Sequence, residues 1–304
     1  MKLNNNISAG FVGYGKQAQV YSKVFNKINV KISSIYVRDI KKYEKFKKLH
    51  NISFIYNDLN SFLNKKYDFI FVLLPWNLIE KFLPDIIKNC KCKFIFTEKP
   101  VALSKKKLTY LIKLQKKFKK KIFVTFNRRF YFTSKYIKSI LKKNKIKKFS
   151  MEISEKENLM KILFKNKIKG NIRYHTTSHW IDLIMWLFNL PSLKVERIIK
   201  NYILSTKGKY YIHIDYEGSK PIQSSLILNN KIHLTHKTLE KLIIYKNNKK
   251  IKTIDEKKIN IFKPGILNTA KEIKNLINNK IKKTDLPTIN ELVNLYKILA
   301  YIKK

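Results

Sequence analysis

The chain predicts an α/β protein: an N-terminal doubly wound parallel sheet, then a C-terminal α+β domain on an open, mainly antiparallel sheet. Three observations carry this. As far as residue 126, short runs that are apolar throughout alternate with amphipathic stretches of helical spacing, as expected for parallel strands covered on both faces. Three of the seven glycines, Gly10, Gly13 and Gly15, cluster at the end of the first run. Beyond residue 190, strand candidates succeed one another without helices between them, the pattern of an antiparallel meander.

In order, strands are expected at 7–12, 30–36, 52–56, 67–74, 93–97 and 121–126, with helices near 16–28, 40–50, 58–64, 78–89 and 104–119. A helix at 133–141 then leads to a strand at 148–154, a polar stretch and a strongly apolar helix at 178–188. Five strand candidates follow, near 194–205, 208–216, 221–228, 231–236 and 241–254. They are punctuated by the turn residues Lys207-Gly208, Glu217-Gly218 and Asn229-Asn230. Two helices, 266–280 and 288–302, close the chain around Leu286-Pro287. A length of 304 residues favours two domains, drawn here as 1–126 and 127–304.

A hydrophobic content of 44% with 13% aromatics is ample for two cores. No apolar run reaches membrane-spanning length, and the N-terminus lacks a secretory apolar region, so a cytoplasmic protein with no membrane partner is expected. Sixty-six basic against 20 acidic residues give a formal charge of +46. The lysines are spread over the whole chain among many Asn and Ile, and arginine occurs only at 38, 128, 129, 173 and 197. That spread argues for A/T-rich coding rather than a specific nucleic-acid partner, although nonspecific binding at low salt is expected. Cys90 and Cys92 form a C-x-C without a second ligand pair. They are read as ordinary reduced thiols at a helix-to-strand junction, and no metal is expected.

The glycine cluster has the register G-x-G-x-x-A, from Gly13 through Gly15 to Ala18. In a Rossmann unit the first glycine permits the turn out of the strand, the second admits the pyrophosphate, and a small third residue packs helix on sheet. Gly13, Tyr14, Gly15, Lys16, Gln17 and Ala18 are therefore candidate cofactor contacts at a helix N-terminus suited to an anion. At the end of the second strand, Val37 takes the usual acidic position and Arg38 the next. The cofactor is thus NAD or NADP, with a lean to NADP from Arg38.

Glu98-Lys99-Pro100 follows the fifth strand, and in open α/β sheets ligands bind beyond the carboxyl ends of strands. The glycine turn, Leu73-Leu74-Pro75, Glu98-Lys99-Pro100, Asn127-Arg128-Arg129-Phe130 and His179-Trp-Ile-Asp182-Leu-Ile-Met-Trp-Leu-Phe occur in one order along nearly the whole chain. In this the sequence resembles the glucose-fructose oxidoreductase, inositol dehydrogenase and MocA family. The resemblance implies hydride exchange between a nicotinamide cofactor and a hydroxyl-bearing carbon of a sugar, cyclitol or nucleotide-sugar. It places Lys99 between nicotinamide and substrate, with Glu98 fixing it and Pro75 beside the cofactor, and it expects a cis bond before Pro100. It makes His179 the general base for the hydroxyl proton, with Asp182 fixing the imidazole or holding substrate hydroxyls.

Two departures stand out. His175 occupies the place where many relatives have the first aspartate of the D-x-x-x-H-x-x-D pattern, so it is expected to contact substrate or tune His179. Ile79 stands where common relatives have a histidine. Tyr174 and Arg129 are further candidate substrate contacts; Arg128 and Arg129 either bind an acidic substrate group or form internal pairs. The family also implies a homodimer or homotetramer through the C-terminal sheet. Two rival readings differ in class: a noncatalytic dinucleotide-binding regulator or basic nucleic-acid-associated protein, and an imine or biliverdin-type reductase.

Overall fold

The computed structural model describes residues 7–155, 162, 172–190, 194–198, 201–205, 210–216, 223–228, 232–259 and 262–302. They form two compact units. The first comprises the described parts of Met1–Phe126 and Ile266–Val293, and the second those of Asn127–Gly265 and Asn294–Lys304.

In the first unit, β1 (Ile7–Val12), β2 (Val30–Tyr36), β3 (Phe54–Tyr56), β4 (Phe69–Val72), β5 (Phe94–Thr97) and β6 (Lys121–Val124) form one parallel sheet, ordered β3-β2-β1-β4-β5-β6. The order reverses between β1 and β4, which is the switch point of a doubly wound sheet. Helices α1 (Lys16–Lys27), α2 (Ile40–Leu49), α3 (Leu59–Leu63), α4 (Trp76–Asn89) and α5 (Lys105–Lys117) connect the strands. Helix α1 buries Ala18, Tyr21, Ser22 and Phe25, the i, i+3, i+4, i+7 stripe of a helix lying on a sheet. Phe11, Tyr21, Phe25 and Phe71 meet there in edge-to-face ring contacts. Helix α4 begins two residues earlier than expected, because Pro75 supplies its N-cap and accepts the Leu78 N–H at 2.8 Å.

Residues 266–293 depart from a single boundary at residue 126. Helix α9 (Ile266–Ile277) buries Ile266, Ala270 and Ile273, packs on α1, and its Lys274 ammonium donates to the Ile28 carbonyl. The chain then pairs antiparallel beside β6, where Val124 N–H donates to Pro287 O (2.9 Å) and Ile289 N–H to Ile122 O (3.1 Å). An amphipathic helix needs an apolar partner, and here that partner lies some 240 residues upstream. Periodicity reveals the helix but not where it docks.

The second unit has an eight-stranded sheet, ordered β14-β13-β12-β11-β7-β10-β9-β8 and antiparallel except between β7 (Ile146–Ser154) and β10 (Tyr210–Asp215). Its other strands are β8 (Lys194–Ile198), β9 (Asn201–Ser205), β11 (Gln223–Leu228), β12 (Ile232–Thr238), β13 (Lys241–Lys246) and β14 (Lys249–Asp255). Alternation puts Phe149, Met151, Ile153, Ile212, Leu226 and Leu234 on the buried face. Helices α6 (Phe132–Leu141) and α7 (Ser178–Phe188) pack together, and Phe188 meets Phe149 ring to ring at 4.6 Å. Helix α8 (Glu256–Ile259) follows β14, and α10 (Val293–Tyr301) ends the described chain.

Two expected strands are hairpins. The 194–205 run divides into β8 and β9, paired from Lys194–Ser205 to Ile198–Asn201. The 241–254 run divides at Asn247-Asn248, both at positive φ (49° and 63°), the conformation of a tight hairpin turn that asparagine tolerates. Lys207-Gly208, Glu217-Gly218 and Asn229-Asn230 lie outside the described residues. Among the described residues no helix is long and apolar enough to cross a membrane, and no His, Cys, Asp or Glu cluster could hold a metal ion.

Candidate functional site

The first unit gathers its candidate residues at the carboxyl ends of β1, β4 and β5. Gly13 leaves β1 at φ +90°, and its N–H donates to Tyr36 O at 2.9 Å. A Cβ there would stand 2.9 Å from the Leu74 side chain and 3.0 Å from the Leu73 carbonyl, so β1 and β4 close against each other only with glycine at 13. Gly15 is the N-cap of α1 at an ordinary φ of −74°, and a Cβ there would meet no described atom within 4 Å. Neither a capping side chain nor an acidic residue occupies the start of α1 among the described residues. Its N–H groups and positive dipole end thus open onto unfilled space above a residue without a side chain, which suits a phosphate. Ala18 is fully buried and Lys16 exposed. Tyr14 does not face that space: its hydroxyl donates to Ser22 Oγ at 2.8 Å, its ring packs on Tyr43 and Phe46, and burial pushes its pKa up to about 12.

Beyond β2, Val37 is buried and Arg38 exposed, while Asp39 accepts the Lys42 N–H at 3.2 Å as the N-cap of α2. The nearest carboxylate is therefore occupied in starting a helix. At the end of β5 the Glu98 N–H donates to Val72 O, Lys99 is only 9% exposed, and the Lys99-Pro100 bond is cis. Pro75 is exposed at the head of α4, and Ile79 is fully buried on the core side of that helix, doing the work of an apolar anchor.

In the second unit the candidates gather around the start of α7. His175 and Thr176 occupy the turn before it, and His179 lies in its first turn with its N–H donating to Thr176 O at 3.3 Å. Tyr174 is buried against Tyr296, with ring centroids 5.1 Å apart. Both Asp182 oxygens are taken by Arg129, whose Nε and Nη2 donate at 2.8 and 2.5 Å. This is a bidentate pair with Asp182 only 2% exposed, and it fixes the α7 backbone against the 127–130 turn.

Three features here escaped the sequence reading. The Arg128 guanidinium stacks over Trp180 at 3.7 Å, with its Nη1 buried and without a hydrogen-bond partner among the described residues. Burial lowers its pKa from the usual arginine range, with Tyr131, Glu155 and Glu240 opposing. Thr177 donates to Glu155 Oε2 at 3.1 Å and meets the Tyr216 hydroxyl at 3.3 Å, while Arg173 stacks on Tyr216. The two threonines between His175 and Ser178 were the visible signal for a polar contact at the helix start; its partners are too distant in sequence to infer.

Residues 7–126 match the family model GFO_IDH_MocA, described as the oxidoreductase family with an NAD-binding Rossmann fold. That match spans the six-stranded parallel sheet of the first unit. No curated protein matches the chain in sequence. Among solved structures, a dehydrogenase (MviM) from Clostridium difficile is similar over 98% of this chain and 99% of its own, at 19% identity and a TM-score of 0.78. The WlbA dehydrogenase from Bordetella pertussis, in complex with NADH and UDP-GlcNAcA, is similar over 98% and 95%, at 12% identity and a TM-score of 0.72. A super-repressor mutant of Gal80p from Saccharomyces cerevisiae is similar over 97% and 94%, at 13% identity and a TM-score of 0.75. At these identities the likeness is one of fold.

Proposed function

We propose that the chain is a cytoplasmic NAD(P)-dependent dehydrogenase acting on a hydroxyl-bearing carbon of a sugar, cyclitol or nucleotide-sugar. The observation that carries this reading is the convergence of the Gly13–Ala18 turn, Pro75 and a buried Lys99 at the carboxyl ends of three adjacent parallel strands. When bound, the nicotinamide cofactor supplies the acceptor or donor of hydride. Gly13, Gly15 and the first turn of α1 hold its pyrophosphate, with Gln17 and Ala18 continuing that turn. Glu98 helps position Lys99, whose ammonium hydrogen-bonds the substrate oxygen. His179 takes the hydroxyl proton as hydride leaves, and His175 tunes it or contacts substrate. Arg129 and Asp182 hold α7 in place for His179. With Val37 buried, Asp39 capping α2 and Arg38 exposed, the reading leans to NADP.

A neighbour's complex with UDP-GlcNAcA supports a nucleotide-sugar as one substrate class. Self-association through the outer face of the second sheet, as homodimer or homotetramer, is supported by its exposed Tyr211 and Ile227. The test is a melting-temperature shift with NAD(H) and NADP(H), then a cofactor-dependent screen of sugars, cyclitols and UDP-sugars. Lys99→Ala and His179→Ala are each expected to reduce turnover by about 10²-fold or more with the fold intact. Absence of any dinucleotide shift overturns the reading. A second reading, a dinucleotide-binding regulator, is favoured by His175 in the place of an aspartate and by the fold likeness to Gal80p. Cofactor binding without turnover on any substrate would select it.

A further inference from the structure

The only two cysteines of the chain lie two residues apart and in contact. Cys90 is the C-cap of α4, its N–H donating to Ile86 O at 3.0 Å, and Cys92 stands two residues before β5. Their sulfurs are 3.8 Å apart, with Cys92 donating to Cys90. A disulfide requires them to approach from that distance to about 2.05 Å. The turn is held by Lys120, whose Nζ donates to Cys90 O at 2.6 Å and to Cys92 O at 2.9 Å. That places an ammonium beside the two sulfurs, the setting that favours a thiolate. The Cys92 hydrogen bond and then the Lys120 charge hold the Cys90 thiol below the usual range against the opposing effect of burial. The Cys92 thiol is pushed upward, first by its bond to Cys90. The pair is thereby divided into an attacking sulfur and a resolving one. Both are nearly enclosed, at 4% and 5% exposure, which admits a small oxidant and disfavours a bulky one.

We propose that Cys90 and Cys92 are a redox-active dithiol, converted by hydrogen peroxide into an intrachain disulfide and restored by a thiol reductant. Cys90 releases its proton to solvent, the thiolate attacks one peroxide oxygen to form the sulfenic acid, the O–O bond breaks, and the departing hydroxide takes a proton back from solvent as water. The Cys92 sulfur then attacks the resulting sulfenic sulfur; the S–S bond forms, the S–O bond breaks, and the hydroxyl leaves with the Cys92 proton as a second water. Two electrons pass from the thiols to the peroxide. Lys120 is a positioning residue that keeps Cys90 in its reactive form.

The test uses the full-length protein treated with hydrogen peroxide under argon, read by thiol titration after denaturation and by intact mass. The expected result is joint loss of both thiols and of the mass of two hydrogens, reversed by dithiothreitol. Cys92→Ser is expected to stop at a sulfenic acid, gaining one oxygen and reacting with dimedone. Lys120→Met is expected to slow oxidation roughly tenfold at neutral pH, with the difference vanishing above the free thiol's range and Lys120→Arg restoring the rate. Two intact thiols after peroxide that fully oxidises glutathione, stepwise oxygen addition without the disulfide mass, or a disulfide between two chains would each overturn the proposal.

Discussion

Substituting the two glycines of the first turn separately distinguishes a phosphate-binding turn from a glycine bend that merely joins strand to helix. At Gly13, alanine must adopt φ +90°, which costs about 1–2 kcal/mol for an L residue. It must also fit a Cβ 3.0 Å from the Leu73 carbonyl, a backbone atom with less room to move than the end of a side chain. Gly13→Ala is therefore expected to lower stability by about 2–3 kcal/mol, or roughly 5–10 °C in melting temperature. At Gly15 the φ of −74° suits alanine and the new methyl meets no described atom, so the melting temperature of the unliganded protein is expected to move by no more than about 2 °C. The methyl does fill the space above the start of α1, and dinucleotide affinity is expected to fall at least tenfold, about 1.4 kcal/mol. Scanning calorimetry with and without NAD(H) or NADP(H) reads both effects. Wild-type affinity in Gly15→Ala would refute the assignment of that space to a phosphate; an unchanged melting temperature in Gly13→Ala would refute the close approach of β1 and β4.

Three further outcomes follow from buried charge. Asp182→Leu leaves Arg129 without its carboxylate and is expected to destabilise by about 3–5 kcal/mol, whereas Arg129→Met with Asp182→Leu recovers most of that; denaturant melts of the two singles and the double measure it. His236 is 5% exposed, meets Ser224 Oγ at 2.5 Å, and burial lowers its pKa from the ordinary 6.5 to about 4. Because the neutral form is favoured on folding, stability is full above pH 6.5 and declines as pH falls towards 4, by up to about 3 kcal/mol, and a pH series on His236→Gln should lack that component. Burial raises the pKa of Glu256, which accepts the Thr133 N–H at the start of α6. The protonated form is favoured on folding, so its contribution is lost as pH rises through the raised value, and Glu256→Gln is expected to gain on the wild type as the pH of the same series increases.

Much of the first unit was legible because strands buried on both faces leave continuous apolar runs such as Phe69–Val72, and their alternation with amphipathic helices dictates a parallel sheet. The α7 helix was equally plain, since nine of its eleven residues are buried and its sequence is apolar nearly all round. The hairpin at Asn247-Asn248 was hidden in a lysine-rich edge segment where polarity does not alternate. The Arg129–Asp182 pair joins residues 53 apart, and nothing local in either neighbourhood marks the other. Asp39 shows the same limit from another side: an acidic residue near the ribose position and an N-cap look alike in sequence, and only backbone geometry reveals its commitment to α2.

The return of residues 286–289 to β6 makes the first sheet a late-finished object. As the chain emerges, β6 is the outermost strand, and its open edge must wait for Thr288 to arrive opposite Phe123. At ordinary synthesis rates that interval is roughly ten to thirty seconds, longer than most small domains need to fold. The nascent chain thus carries a free strand edge throughout the synthesis of the residues between β6 and Thr288. The exposed lysines bordering it, Lys119 and Lys121, supply charge of the kind that keeps such an edge from pairing with a neighbour's.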